Sequence, residues 1–263
     1  MDLDLTGRRA FVSGSTQGIG YAIARALLSE GASVVVNGRR DDTVQAAVGR
    51  LRDDVPNADV AGVAADFANP TEVGRLLDAL GDVDILVNNV GLFDVAPFDT
   101  ISDDDWQRYF DVNVMSGVRL SRFMLGGMLQ RGWGRILFIS SESGVNVPAD
   151  MIHYGTTKAA MLALSNGLAK LTRGTEVTVN TVLGGPTYSD GVAEVVSQLS
   201  RAQGVAEDAL KAAIMAGNAT SLLQRFIEPT EIADLVAYLA SPRASATNGA
   251  AVRADGGVLT AAL

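Results

Sequence analysis

Two side chains at helical spacing, Tyr154 and Lys158 in the run Tyr154-Gly155-Thr156-Thr157-Lys158, are able to move a proton. Positions i and i+4 share a helix face. A phenol ordinarily loses its proton near pH ~10, so it is a poor base at neutrality; an ammonium beside it favours the phenolate and brings that value down. The same phenol can protonate an alkoxide in the opposite direction. A hydroxyl to hold the reacting oxygen is available upstream in Ser141, with Ser140 and Ser143 as competitors. Each serine taken singly also reads as a turn residue, and a Tyr–Lys pair at this spacing also arises by chance. The chemistry therefore needs a second reactant bound nearby.

A glycine-rich run supplies a place for one. Ser13-Gly14-Ser15-Thr16-Gln17-Gly18-Ile19-Gly20 joins an apolar run, Ala10 to Val12, to a stretch with helical periodicity. Glycines at such a strand–helix junction let a backbone approach a pyrophosphate, and the helix start offers free N–H groups and the positive dipole end. Without that placement the run would read as a tight turn. No Gly-Lys-Ser/Thr follows, which excludes a triphosphatase loop. The next strand ends Asn37-Gly38-Arg39-Arg40. A site for NAD usually carries a carboxylate here; Gly38 leaves room, and a guanidinium suits the 2′-phosphate of NADP. The expected cofactor is NADP(H), with NAD(H) as the alternative and two solvated loop arginines as the plain reading.

These residues need a scaffold. Buried-strand runs at Ala10–Val12, Ser33–Asn37, Val60–Ala65, Asp84–Val87, Arg135–Ser140, Val177–Leu183 and Ala250–Arg253 alternate with helical patterns. The helices are expected over Tyr21–Glu30 before Gly31, around Val44–Leu51, after a start at Asn69-Pro70-Thr71-Glu72, in a long segment capped by Ser102, over Thr156–Leu171 and over Pro229–Ala240. Alternation of this kind predicts an α/β fold, a single-domain Rossmann-like doubly wound parallel sheet of about seven strands flanked by helices. One domain is expected over residues 1–263, with residues 188–224 forming a small inserted helical lid.

Composition narrows the partners. The formal charge of −9 opposes nucleic-acid backbones and anionic membranes, and the absence of cysteine removes disulfides and zinc–thiolate sites. The opening Met1-Asp2-Leu3-Asp4-Leu5 is acidic where a signal peptide would be basic. A cytoplasmic protein with no membrane and no metal is expected.

The set Gly14-Gly18-Gly20, Asn88-Asn89-Val90-Gly91, Asn113, Ser141, Tyr154 and Lys158 resembles the short-chain dehydrogenase/reductase family of the classical type, from Leu5 to Gly257, with Tyr154 thirteen positions after Ser141. The resemblance extends to the 3-oxoacyl-[acyl-carrier-protein] reductases. It implies metal-free hydride transfer between a nicotinamide and a carbonyl or secondary alcohol. Tyr154 is then the acid/base, Lys158 binds the nicotinamide ribose and lowers the tyrosine pKa, Ser141 orients the substrate oxygen, and Asn113 holds a relay water. Gly14, Ser15, Gln17, Gly18, Ile19 and Gly20 cradle the dinucleotide; Arg39 and Arg40 meet its 2′-phosphate. Asn89 and Gly91 lie near the adenosine ribose, Asp66 and Phe67 at the adenine, and Gly185, Pro186 and Thr187 at the carboxamide. Pairing of the long helices between subunits, as a homotetramer or homodimer, is also implied. Three positions depart from the pattern: Ser13 for threonine, Val90 for alanine, and Gly184 for a proline, the last expected to loosen the root of the lid.

The substrate is the least defined partner. Phe93, Ser143, Val145, Met151 and Tyr188 are expected to line its pocket, an apolar mixture with some hydroxyls and no carboxylate anchor. A thioester on acidic acyl carrier protein would need a basic patch, for which Arg131, Arg135 and Arg173 are candidates. His153, the one histidine, reads as a helix-start residue; with no GxSxG run a serine-hydrolase triad has little support. Asp103-Asp104-Asp105 complement a helix dipole rather than bind a cation. Trp106, Phe110, Phe123 and Met124 read as core or subunit contacts. The reading from another class is a non-catalytic dinucleotide-binding regulator; an isomerase, epimerase or dehalogenase on the same scaffold is a third.

Overall fold

Valine-rich runs in this chain, such as Ser33-Val34-Val35-Val36, are too apolar for a sheet with a wet face. In the computed structural model, which describes residues 2–261, they form a sheet covered on both sides. Met1 and the last two residues of the expected domain lie outside the described residues. The strands are β1 (Arg9–Val12), β2 (Ser33–Gly38), β3 (Val60–Ala64), β4 (Ile85–Asn88), β5 (Trp133–Ser141), β6 (Glu176–Gly184) and β7 (Ala251–Ala254). All neighbours are parallel, in the order β3-β2-β1-β4-β5-β6-β7. The order reverses at β1, between β2 and β4, and a doubly wound sheet opens its binding crevice at the carboxyl ends of strands at such a point.

Helices α1 (Gly18–Ser29), α2 (Asp41–Asp54) and α9 (Pro229–Ala240) bury Ile23, Leu27, Val44, Leu51, Ile232 and Val236 on one face of the sheet. On the other, α3 (Pro70–Leu80), α5 (Ser116–Arg131) and α6 (Ile152–Ala169) bury Leu76, Leu80, Leu120, Met128 and Met161 against Phe11, Leu86 and Phe138. The expected lid holds α7 (Asp190–Gln203) and α8 (Glu207–Gly217), followed by irregular chain to α9.

Several boundaries differ from the sequence reading, each for a physical reason. Helix α1 begins at Gly18, three residues earlier than the apolar period suggests, because the second loop glycine takes φ +59° and serves as the first helical residue. Helix α6 begins at Ile152 rather than Thr156, so His153 and Tyr154 sit in its first turn and Gly155 N–H donates to Met151 O at 2.8 Å. Asn69 caps α3 as expected, but no capping box closes: the Glu72 carboxylate turns back to the Asp66 N–H at 2.9 Å and the Asn69 amide at 2.9 Å. The long helix after Ser102 is α4 (Asp103–Tyr109) continued into α5 through a π-helical stretch, Phe110–Met115, which contains Asn113. Such bulges are frequent at functional sites.

Candidate active site

The glycine loop and the ends of β1, β2, β3 and β4 enclose a cleft of about 620 Å³. Gly14, Thr16, Gln17, Gly18, Ile19 and Gly20 form its floor, with Asp66 and Phe67 at one side and Asn89, Val90 and Gly91 at another. A Cβ on Gly20 would stand 2.3 Å from Gly14 O and 2.5 Å from the Asn89 amide nitrogen, so only glycine lets the loop close this tightly. Ser15 is buried, and its hydroxyl donates to Val12 O at 2.6 Å while accepting from Asn37 N–H at 2.9 Å; it shapes the loop from beneath. Ser13 keeps the work of a threonine hydroxyl, accepting the N–H groups of Asn89 and Val90 at 2.9 and 3.1 Å. The Asn89 amide donates to Ser13 O and Gly14 O at 3.0 and 2.8 Å, so its donors brace the loop rather than face a ribose. Gly18 N–H donates to the Asp190 carboxylate at 2.5 Å, placing a lid anion at the start of α1.

The far end of the cleft is cationic. Arg39 and Arg40 line it, Arg40 in a two-pronged pair with Asp42. Gly38 leaves space as expected, and Thr16 fills it: a Cβ there would meet the threonine methyl at 2.6 Å. Arg50 is a third arginine the sequence reading missed. It donates to Thr16 O at 2.5 Å and stacks 4.5 Å over the Tyr21 ring. Its signal was a position on the polar face of α2, where a cation usually means solvation.

The inner end of the cleft meets Lys158. A Cβ on Gly91 would lie 3.4 Å from Lys158 Nζ and 3.6 Å from Asn113 Oδ1, so the lysine stands against the cleft wall. Lys158 is buried, donates to Ile139 O at 2.9 Å and holds Nζ 5.5 Å from the centre of the Tyr154 ring. Ser141 ends β5 and faces the Tyr154 phenol. Ser140 is excluded as its rival because its hydroxyl donates to Lys158 O at 3.0 Å. Two glycines allow the approach: a Cβ on Gly144 would meet Lys158 backbone at 2.9 Å, and one on Gly155 would meet Ser143 O at 2.7 Å.

One expectation needs correction here. The phenol of Tyr154 is raised, not lowered: its hydroxyl end is withdrawn from water, which penalises the anion most, and the Glu142 and Tyr109 charges add to this, while Ser141 pulls the other way. Burial likewise brings Lys158 down to about 8, opposed by Glu142. Asn113 has both amide protons engaged, on Leu92 O at 3.0 Å and Thr157 Oγ1 at 2.9 Å, and accepts Leu92 N–H at 2.7 Å. Its side chain ties the β4 exit to α6.

The pocket candidates separate. Phe93 lines the cleft and touches the start of the lid, a Cβ on Gly191 lying 3.7 Å from its ring. Ser143 is buried beside Ser141, Val145 is exposed on the turn after it, and Met151 is half-buried before α6. Tyr188 turns instead to a groove of about 560 Å³ under α8, 4.1 Å from Lys211 Nζ and 5.5 Å from Phe226. Gly185, Pro186 and Thr187 lie at the lid root, where Thr187 donates to Gly185 O at 2.8 Å; the lid residues that line the cleft are Ser189 and Gly191. Gly184, at that root, is paired with both Ser141 and Ala254 within the sheet. His153 is buried against Tyr109, with ring centres 4.1 Å apart and Nδ1 without a partner. Of the remaining candidates, Met124 is core while Phe123 is 46 % exposed.

A carboxylate was missed altogether. Glu142 accepts the Ser141 hydroxyl on Oε2 and the Ser143 hydroxyl on Oε1 at 3.2 Å. Among the described residues no His, Asp and Glu side chains gather as a metal site, and no helix is long and apolar enough to cross a membrane.

This geometry coincides with family membership. Residues 8–200 match the model of the short chain dehydrogenases. The chain is a short-chain dehydrogenase/reductase. It is 44 % identical over 260 residues to the uncharacterized oxidoreductase YvaG of Bacillus subtilis, covering 98 % of each chain. It is 31 % identical over 260 residues to the 3-oxoacyl-[acyl-carrier-protein] reductase FabG of Vibrio cholerae, covering 97 % of this chain and 99 % of that one. Among solved structures, L-sorbose reductase from Gluconobacter frateurii, complexed with NADPH and L-sorbose, superposes with a TM-score of 0.93 at 30 % identity, over 99 % of this chain and 100 % of the other. The short-chain dehydrogenase/reductase fold and oxidoreductase class follow, as does use of a nicotinamide dinucleotide.

Proposed function

We propose that this short-chain dehydrogenase/reductase interconverts a carbonyl and a secondary alcohol with NADP(H), Tyr154 passing the proton. The observation that supports the reading is Lys158 at the Gly91 wall of the cleft, with its Nζ 5.5 Å from the Tyr154 ring centre and Ser141 beside the Tyr154 phenol. The cradle fits a dinucleotide: Gly14, Gly18 and Gly20 admit a pyrophosphate, and a Cβ at Gly20 would close the loop's space. Arg39, Arg40 and Arg50 at the adenosine end supply charge for a 2′-phosphate. When bound, the dinucleotide supplies or takes the hydride. Tyr154 delivers its proton to the reacting oxygen or removes one, and burial keeps the phenol in the protonated form that reduction needs. Ser141 orients that oxygen, and Lys158 holds the ribose side and replenishes the proton. NADPH bound to the sorbose reductase supports the cofactor preference.

A thioester on acyl carrier protein is less well supported. Arg135 is buried at the start of β5, Arg131 pairs with Asp82 at 2.8 Å, and Arg173 precedes β6, all toward the amino-terminal ends of the strands and away from the cleft. They form no basic patch at its mouth. The exposed ring of Phe123 on α5 supports pairing of the long helices between subunits, as a homotetramer or homodimer. NADPH consumption against a panel of ketones and aldehydes tests the activity, with Tyr154→Phe as control. NADPH binding without turnover across the panel favours a regulator. Arg39→Ala should weaken NADPH binding about tenfold and leave NADH binding within about twofold; equal loss for both overturns the preference.

A further inference from the structure

We propose that Glu142 makes the site selective for carbonyl compounds that carry a hydroxyl on the neighbouring carbon, α-hydroxy ketones and the vicinal diols they become. The inference rests on the carbonyl–alcohol reading above and deepens it.

A serine hydroxyl has one proton to give. Ser141 gives its proton to Glu142 Oε2, accepts the Ser143 N–H at 3.1 Å, and faces the Tyr154 phenol. Ser143 gives its own hydroxyl proton to Oε1 of the same carboxylate at 3.2 Å. Both serine protons that could meet a reacting oxygen are therefore committed to Glu142. Hydrogen bonds to a carboxylate are stronger than those to a neutral carbonyl oxygen. Among the described residues no cation is in ion-pair distance of Glu142, and Lys158 Nζ is turned to Ile139 O. The side chain is half-buried, open enough for a ligand to reach.

A plain ketone brings only an acceptor. To recruit the Ser141 proton it must take it from Glu142 and leave a partly desolvated carboxylate oxygen short of a donor, which is the costly side of hydrogen-bond exchange. An α-hydroxy ketone brings an acceptor and a donor on adjacent carbons. Its hydroxyl replaces Ser141 on Glu142, and Ser141 turns its proton to the carbonyl oxygen. The number of hydrogen bonds is kept. The reaction stays the same: the carbonyl carbon gains a hydride, its oxygen gains the Tyr154 proton, and the neighbouring hydroxyl is not consumed.

The experiment pairs each ketone of an alkyl and aryl panel with its α-hydroxy counterpart, for example butanone with acetoin. Initial rates of NADPH oxidation are compared for the native enzyme, Glu142→Gln and Glu142→Ala. The native enzyme should favour the hydroxylated partner in kcat/KM by about tenfold or more. In Glu142→Ala that ratio should fall toward one, and in Glu142→Gln, which keeps one acceptor oxygen, it should fall part of the way, the loss falling on the hydroxylated partner. Comparing variants cancels the greater intrinsic electrophilicity of hydroxy ketones. NADPH affinity, read by fluorescence titration, should stay within about twofold and shows that the variants are folded. Equal loss on both members of a pair, or a ratio that does not move, overturns the assignment of Glu142 and leaves the oxidoreductase reading standing. Native enzyme that binds NADPH and turns over nothing in the panel overturns both.

Discussion

At the scale of single residues, the site is a contest between burial and charge. Tyr154 has its hydroxyl end among Ser141, Glu142 and Tyr109, and burial outweighs an ammonium whose Nζ lies 5.5 Å from the ring centre. Removing only the phenol oxygen should leave NADPH binding intact. Tyr154→Phe is expected to lower kcat/KM by about 10²–10⁴, measured by steady-state NADPH oxidation on any accepted carbonyl. Lys158 gives a prediction with a sign. Burial depresses its folded pKa from 10.5 to about 8. Between those values the unfolded chain binds the extra proton, so stability rises with pH across that window, and the full penalty of a buried ammonium is felt below it. Relative to Lys158→Met, the native protein should gain on the order of 3 kcal/mol of unfolding free energy between pH ~7 and ~10.5. Urea titrations at the two pH values measure it, and parallel pH profiles for the two proteins would contradict the burial argument. Tyr154 and Lys158 were legible because their spacing is helical and their chemistry complementary. Glu142 was not: a carboxylate at the end of a strand reads as a solvated turn residue until the strand ends beside a phenol.

At the scale of elements, each functional group is fixed by the end of a strand or the first turn of a helix. The glycine loop was readable because three glycines between an apolar run and a helical period have one common use. Its internal bracing was harder to foresee, because it depends on Asn89, which reaches Ser13 O and Gly14 O from more than seventy residues away. Gly20→Ala tests that bracing. The added methyl meets Gly14 O at 2.3 Å and Asn89 Nδ2 at 2.5 Å, and neither is the free end of a flexible chain. The variant is expected to lose about 1–3 kcal/mol of stability and to bind NADPH at least tenfold more weakly. Fluorescence titration and thermal unfolding read the two effects, and native-like values would mean the loop yields more easily than its contacts imply. The π-helical stretch around Asn113 had no sequence signal, since its residues suit an α-helix equally well. Tertiary bonds to Leu92 and Thr157 choose the wider turn.

At the scale of the whole molecule, the parallel sheet separates chemistry from anchorage. All the groups discussed above leave the carboxyl ends of strands, whereas Arg135 works at the opposite end. It is 1 % exposed, donates to the carbonyls of Ser241, Gly134 and Glu176 at 3.2, 2.9 and 2.6 Å, and stacks 4.5 Å from the Trp133 ring. Burial brings its pKa down to about 10. A lone arginine in a strand invites a surface reading, and only the assembled amino-terminal end of the β5–β6 pair shows three acceptors around it. Arg135→Ala is expected to cost about 2–4 kcal/mol in a urea titration while kcat stays within about twofold. A marked loss of kcat would mean that the two ends are coupled. The close contacts at Gly144 and Gly155 have a broader consequence. At Gly144 main chain faces main chain, where ordinary substitution has nothing to trim, while at Gly155 the Val147 side chain shares the contact with Ser143 O. The catalytic alignment is therefore held rigidly in place, and new substrate preferences have to arise around its rim, in the Phe93 loop, at Glu142 and along the lid, where residues still have room to change.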